Sequence, residues 1–262
     1  MSVELLINVT PSESRVALIE NGILQEIHVE RHTTRGLVGN IYRGKVSRVL
    51  PGMQAAFVDI GLEKAAFLHA SDIVIHNEIA EEVSASHIQK QDIRELVRDG
   101  QDIVVQVVED PIGTKGARLT TDITIPSRYL VFMPSVTHVG VSQRIEEEAE
   151  RERLKDLVQE FCDENGGFIL RTAAEGVGKN ELQQDAAFLR RLWDKIQSRM
   201  KKRKSNVLYE DLPLARRVLR DFVGTELDRI RIDSKLSFQE LFQFTKEYVP
   251  EMNGKLEYYT GD

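Results

Sequence analysis

Residues Gly39–Leu68, GNIYRGKVSRVLPGMQAAFVDIGLEKAAFL, decide the fold. From Ala55 to Ile60 the side chains alternate strictly, which predicts a β-strand. Ala56, Val58 and Ile60 point one way, and Ala55, Phe57 and Asp59 point the other. After a turn at Gly61–Lys64 the pattern resumes, with Ala66 and Leu68 opposite Ala65 and Phe67. Each strand thus carries one aromatic ring on the face away from its aliphatic residues. The rings could fill a second core layer, since buried Phe is common. They could equally form a stacking platform for unpaired bases, flanked by Arg43, Lys45, Arg48 and Lys64. The residues alone leave both open.

The totals exclude some classes. A chain of 262 residues has room for one large domain or a few small ones. Hydrophobic content of 41% and charged content of 29% are those of an ordinary globular protein. No run approaches the ~18 apolar residues of a membrane-spanning helix. MSVELLINV has no basic segment ahead of its apolar run, so no signal peptide is expected. Cys162 is the single cysteine and cannot form an internal disulfide, which suits a cytoplasmic location. A net charge of −7 argues against bulk electrostatic binding of nucleic acid but not against a local site. None of the six histidines has a cysteine near it, and no zinc site is read.

Along the chain, Leu5–Val9, Arg15–Glu20 and Ile23–Glu30 predict three strands, with Asn21-Gly22 as a tight hairpin turn. Glu13, Glu20 and Glu30 are expected to be solvated. Pro51-Gly52 marks a turn before the Ala55 strand, and Ala70–Asp99 is a polar, acidic excursion ending in a helix over Asp92–Arg98. Ile103–Val108 predicts a buried strand, followed by the Gly-rich turn DPIGTKGARLT with Lys115. From Arg128 the texture becomes mixed: strands at Tyr129–Met133, His138–Ser142 and Phe168–Leu170, and a helix over Glu146–Phe161. A helix from Lys179 carries Leu182, Ala186, Leu189, Trp193, Ile196 and Met200 as its core stripe. Its basic tail Lys201–Lys204 is a solvated helix end, or else an auxiliary RNA contact. A strand, a helix (Ala215–Val223), a strand (Leu227–Ile232) and a helix (Phe238–Tyr248) follow. The first 34 or so residues are too few to bury a core and need a partner from elsewhere.

Gly176-Val177-Gly178-Lys179 is not a phosphate loop of the Walker type: Ala173 stands where its first glycine belongs, and Asn180 where Ser or Thr should follow the lysine. A strand end nevertheless delivers Arg171 and Thr172 beside a Gly-x-Gly turn that opens a helix. Guanidinium, hydroxyl and free N–H groups could together hold a terminal phosphate. An exposed strand–helix loop with a surface arginine is the alternative.

The runs NIYRGKV, LPGMQAAFVDIG and AAFLHASDI resemble signature segments of the bacterial ribonuclease E and G family, and the similarity runs from about Leu5 to Gly261. The resemblance implies an α+β, multidomain fold in which an S1-type OB-fold barrel (37–124) and a mixed α/β 5′-sensor (125–205) are inserted in a split ribonuclease H-like domain (1–36 and 206–262). It places Phe57, Phe67 and Lys115 on an RNA-contacting surface. It assigns Arg171 and Thr172 to the 5′-monophosphate of RNA, with Val131 lining that pocket and Ser127 standing where the family has glycine. It further implies a Mg²⁺-dependent endoribonuclease that cuts single-stranded RNA in rRNA maturation and mRNA turnover. The family's metal-binding aspartates and the cysteines of its zinc-linked homo-oligomer would lie beyond Asp262. These residues are therefore expected to hold no catalytic centre, metal or cofactor, as a truncated product. The rival is a self-standing, non-catalytic RNA-binding or regulatory protein.

Overall fold

The structure, a computed structural model, describes residues 2–74, 92–163, 165–202, 205–222 and 227–261. Residues 75–91 of the acidic excursion and 203–204 of the basic run lie outside the described residues. In chain order come β1 (Val3–Val9), β2 (Glu13–Glu20), β3 (Ile23–Arg31), β4 (Ile41–Leu50), β5 (Ala55–Asp59), β6 (Ala66–His69), the single turn α1 (Ile93–Leu96), β7 (Asp102–Glu109) and β8 (Arg118–Thr120). These are followed by β9 (Ile125–Pro126), β10 (Leu130–Met133), β11 (Val139–Val141), α2 (Glu148–Gln159), β12 (Gly167–Leu170) and α3 (Lys179–Lys202). The last elements are β13 (Val207–Tyr209), α4 (Leu214–Asp221), β14 (Arg229–Ile232), α5 (Lys235–Tyr248) and β15 (Leu256–Tyr258). This is the α+β class that the sequence predicts.

Three sheets organise the chain. The first, in the order β15-β14-β1-β2-β3, joins strands from both ends. Asn21 and Gly22 both take positive φ (50° and 79°), which is the backbone a two-residue hairpin turn demands. β1 then pairs in parallel with β14, Leu5 opposite Ile230 and Ile7 opposite Ile232. Glu13 and Glu30 are not solvated as expected. Glu30, 15% exposed, takes the Leu214 N–H at 3.0 Å and pairs with Arg217 at 2.9 Å, so it caps the first turn of α4. Glu13 pairs with Arg15.

The second sheet runs β4-β5-β6-β8-β7 and closes through β4–β7, giving a five-stranded barrel of the OB type with β13 added at β4. β4 pairs with β7 through Ile41–Lys45 and with β5 through Lys45–Leu50. Its Gly44 sits where the strand changes partner: a Cβ there would lie 2.4 Å from Val58 Cγ1 and 3.0 Å from Ile60 Cγ2. The barrel has its own core of Val46, Ala56, Val58, Ile60, Leu68, Val105, Val107 and Leu119.

The third sheet, β11-β12-β10-β9, packs against α2 and α3. The stripe predicted for α3 is present, but the helix is buried more widely. Phe188 turns to α5, meeting Phe244 at 6.3 Å and Tyr248 at 6.1 Å, while Trp193 meets Phe132 at 6.2 Å. The spacing rule found one stripe because it assumes one partner, and α3 packs on several elements: β10, α2, β13 and α5.

Gly44→Ala should lower stability by about 1–3 kcal/mol, as extra methyls in packed cores do. Urea unfolding measures it, and an unchanged midpoint would mean that β4 and β5 spread apart at no cost.

Candidate nucleic-acid interface

Phe57 and Phe67 stand directly opposite each other on β5 and β6, half-buried, with ring centroids 6.3 Å apart and planes at 68°. Their aliphatic neighbours Ala56, Val58, Ala66 and Leu68 are fully buried beneath them. The rings are therefore on the outside of the barrel rather than in a second core layer. Registers extend this row outward: Arg48 of β4 faces Phe57, and Arg118 of β8 faces Phe67. Arg118 is committed to scaffolding, at 2.9 Å from Asp72 and 2.8 Å from Glu109, which raise its pKa further. Arg48 is exposed and makes no ion pair among the described residues. His69, two residues beyond Phe67, places its ring 6.4 Å from that phenylalanine.

Lys115 projects from a tight turn bound to the Phe67 strand. Ile112 and Lys115 bridge the turn, Gly113 takes φ 57°, and Lys64 Nζ donates to the Gly113 carbonyl at 2.6 Å. Gly116 lets the turn lie against β6, since a Cβ there would fall 1.9 Å from the Ala65 carbonyl oxygen. The Phe67 N–H donates to Ala117 O at 2.7 Å. Lys115 is thus exposed beside the aromatic row. Of the flanking cations read from sequence, Arg43 is elsewhere: it donates to the Met200 carbonyl and ties the barrel to α3.

Arg171 directly follows β12, and its N–H donates to Tyr129 O at 2.8 Å, continuing the β10–β12 ladder. Its guanidinium donates to the Ser127 carbonyl, at the turn between β9 and β10. A carbonyl accepts a hydrogen bond without neutralising charge. Arg171 has no carboxylate partner among the described residues, and it is exposed. Thr172, also exposed, opens a short turn, and Val131 lies one residue along β10 from Leu130, opposite Ile169. Arg171, Thr172 and Val131 therefore share one end of the third sheet, apart from the barrel row.

The β9–β10 turn is held from below. Asp185 of α3, 2% exposed, accepts from the Ser127 hydroxyl and from the N–H groups of Tyr129 (3.0 Å) and Leu130 (2.9 Å). Burial pushes its carboxyl up, and these hydrogen bonds with the nearby Arg220 charge pull against that shift. Arg220 donates to Pro126 O at 3.0 Å. Ser127 is fully buried and spends its hydroxyl on this anchor. Sequence reading missed Asp185, for which an aspartate on the buried face of an apolar stripe was the available signal.

Two N–H groups of the Gly-x-Gly turn that the sequence left free are taken, and that of Val177 donates to the Ala174 carbonyl at 3.1 Å. The Gly176 N–H donates to Glu150 at 2.8 Å, and Glu150 also receives Arg153 at 2.6 and 2.7 Å. Among the described residues, no group of three or more His, Cys, Asp or Glu could hold a metal ion. No described helix is long and apolar enough to cross a membrane.

A closed five-stranded barrel with a half-buried aromatic pair on its outer face is the form of an S1-type RNA-binding module, and residues 37–116 match the S1 RNA binding domain family. Residues 124–262 match the Ribonuclease E/G family, and the chain belongs to that family. It is 66% identical to Ribonuclease G of Escherichia coli (strain K12) and 62% identical to Ribonuclease G of Haemophilus influenzae, in each case over its whole length. It is 36% identical to Ribonuclease E of Nostoc sp. over 88% of its length and 33% of the relative's. It spans 54% and 53% of the two Ribonuclease G chains, about half the length of these relatives.

The Glu150 clamp yields a pH dependence. The Arg153 hydrogen bond and the Gly176 N–H hold its carboxyl down to about 2, from an ordinary 4.5. A depressed carboxyl stabilises the fold fully above the unfolded value and loses that contribution as pH falls through 4.5 toward 2. Glu150→Gln should therefore lower the melting temperature at pH 7, with the difference shrinking toward pH 3. A difference that stays constant with pH would remove the charged clamp from the account.

Proposed function

We propose that this chain is the RNA-binding and 5′-monophosphate-sensing portion of a ribonuclease G-like endoribonuclease. The intact enzyme would cut single-stranded RNA in rRNA maturation and mRNA turnover with Mg²⁺, through residues that these 262 do not include. The observation that carries the proposal is the outward-facing Phe57–Phe67 pair on an S1-type barrel, with Arg48 and Lys115 beside it. Base stacking on such rings tolerates any sequence, because every base has a π-face. Arg171, charged and without a carboxylate partner, would then read the 5′ end: a monophosphate suits its fork, and a 5′-hydroxyl offers it no charge. Val131 and Thr172 would border that phosphate. In domain terms we read 37–124 as the barrel, 125–205 as the sensor, and 1–36 with 206–262 as the two parts of a ribonuclease H-like domain.

Phe57→Ala should weaken binding of single-stranded RNA by about 1–3 kcal/mol with little sequence dependence. A core Phe→Ala would instead cost about 3–5 kcal/mol of stability. Affinity and thermal unfolding measured on the same variant separate the two. Lost stability with unchanged affinity would end the platform reading.

For the sensor, a matched pair of short RNAs with a 5′-monophosphate or a 5′-hydroxyl is the test. The exposed Arg171 should favour the phosphate by roughly 0.2–1 kcal/mol, the range of exposed ion pairs. Arg171→Lys should reduce that preference. If Arg171→Ala weakens both RNAs equally, it is a general backbone contact instead. The chain alone should not cleave either RNA with Mg²⁺. Cleavage abolished by mutating one of its own acidic residues would contradict this.

A further inference from the structure

We propose that a basic cleft between α3, α5 and the β13–α4 loop binds the phosphate group of a small phosphate monoester. A cavity of about 140 Å³ opens there, and Arg35, Lys195, Arg199 and Arg216 line it. Neither the aromatic row nor Arg171 belongs to that lining. Its floor is apolar, with Leu192, Ile196, Tyr209, Leu212, Phe244 and Tyr248 all buried. Segments far apart in sequence supply the cations. Lys195 and Arg199 stand one helical turn apart on α3, Arg216 comes from α4, and Arg35 from the segment that leads into the barrel.

Two of the four cations keep their charge. Arg35 donates to the Asp211 carbonyl, and Arg199 to the Leu208 carbonyl at 2.9 Å, so each guanidinium is oriented without being neutralised. Both are exposed. The other two face carboxylates: Lys195 pairs with Glu247, and Arg216 lies 3.6 Å from Glu240. Each of these also sits over a ring of the floor, Lys195 at 5.1 Å from the Tyr248 centroid and Arg216 at 5.8 Å from that of Phe244. The acidic groups of the lining are Glu210, on the exposed rim, and Asp211, whose carboxylate is 3.8 Å from Arg217. The lining thus carries four cations against two carboxylates. Guanidinium forks match the oxygens of a phosphate. A hollow of this size takes a group about as large as a benzene ring, which suits a phosphoryl group with its ester tail outside. A phosphate within an RNA strand has chain on both sides, so a terminal phosphate fits a single mouth better. Donation to backbone carbonyls explains how the arginines are oriented. It does not explain why four cations converge on one hollow, and an anion there does.

Arg199→Gln separates the two roles, since a glutamine amide can still donate to the Leu208 carbonyl but carries no charge. Binding of inorganic phosphate and of uridine 5′-monophosphate to the 262-residue chain is measured by calorimetry at fixed ionic strength. The proteins compared are wild type, Arg199→Gln, Glu210→Gln and Arg171→Ala, with thermal melts as the folding control. We expect Arg199→Gln to melt like wild type and to bind both ligands about tenfold more weakly, the lower end for a lost charge-assisted hydrogen bond. Should it melt early, Arg35→Gln carries the same test. Glu210→Gln should tighten both by about two- to fivefold, because it removes an exposed repelling charge. Arg171→Ala should keep most of the binding. If Arg171→Ala abolishes binding and Arg199→Gln does not, phosphate goes to the end of β12 alone, and the inference fails with the 5′ reading intact. If neither ligand binds, or all variants bind alike, the cleft is no anion site. A 5′-hydroxyl hexauridylate supplies the last arm, and its affinity should not depend on Arg199. Equal sensitivity to Arg199→Gln would make the occupant an RNA backbone and overturn the monoester assignment.

Discussion

The pairing of β1 with β14 is the constraint on which the rest of the architecture depends. Strands β1 to β3 alone form a meander with nothing to bury against, and the missing partner arrives more than two hundred residues later. Both ends of the parallel pair are latched by carboxylates: Asp228 accepts from the Val3 N–H at 2.7 Å, and Asp233 from the Val9 N–H at 3.0 Å and the Asn8 amide at 2.5 Å. Closing a loop between residues 225 apart costs entropy that grows only as the logarithm of length, so the pairing is affordable once the sheet has a core. Everything between β3 and β14 must consequently leave one sheet and return to it. The barrel and the third sheet are the two excursions, and their cores are what make that long return productive.

Helix α3 settles how those excursions sit. Its Asp185 holds the β9–β10 turn, its Phe188 packs on α5, its Trp193 packs on Phe132, and its Met200 carbonyl receives Arg43 from the barrel. A helix with one partner shows a single apolar stripe, with its polar residues in water. This one has partners on several sides, and a buried aspartate on it is tolerable because three donors meet its carboxylate. The geometry of the candidate 5′ site is thereby tied to the packing of the whole molecule rather than to its own loop.

That explains which features could be read from the sequence. The Ala55–Ile60 alternation, the Asn21-Gly22 turn and the α3 stripe are periodic or local signals, and each is where the sequence puts it. Phe57 and Phe67 were legible as rings opposite aliphatics, yet their exposure was not, because alternation says which face a side chain takes and not what covers it. Short strands such as β9, β13 and β15 carry too few residues for a period, and only their partners define them. The Gly176 N–H looked free in a Gly-x-Gly turn until Glu150, 26 residues earlier, was found occupying it. Long-range hydrogen bonds of that kind leave no spacing to detect.

The same bonds decide where an anion can bind on a chain whose net charge is −7. Several arginines are already paired with carboxylates: Arg118 with Asp72 and Glu109 on the barrel, Arg153 with Glu150 beside the Gly-x-Gly turn, and Arg217 with Glu30 at α4. Each such pair is locally neutral and holds a turn or a helix end in place. Arg171 differs because its partner is the Ser127 carbonyl, which orients the guanidinium and leaves its charge intact. Arg48 and Lys115 border the aromatic row without a carboxylate partner among the described residues. Positive charge therefore survives where the rings are and where β12 ends, and it is cancelled where the fold needs stiffness. An acidic protein can bind a polyanion on those terms, because within a Debye length of about 8–10 Å the local charges count for more than the total.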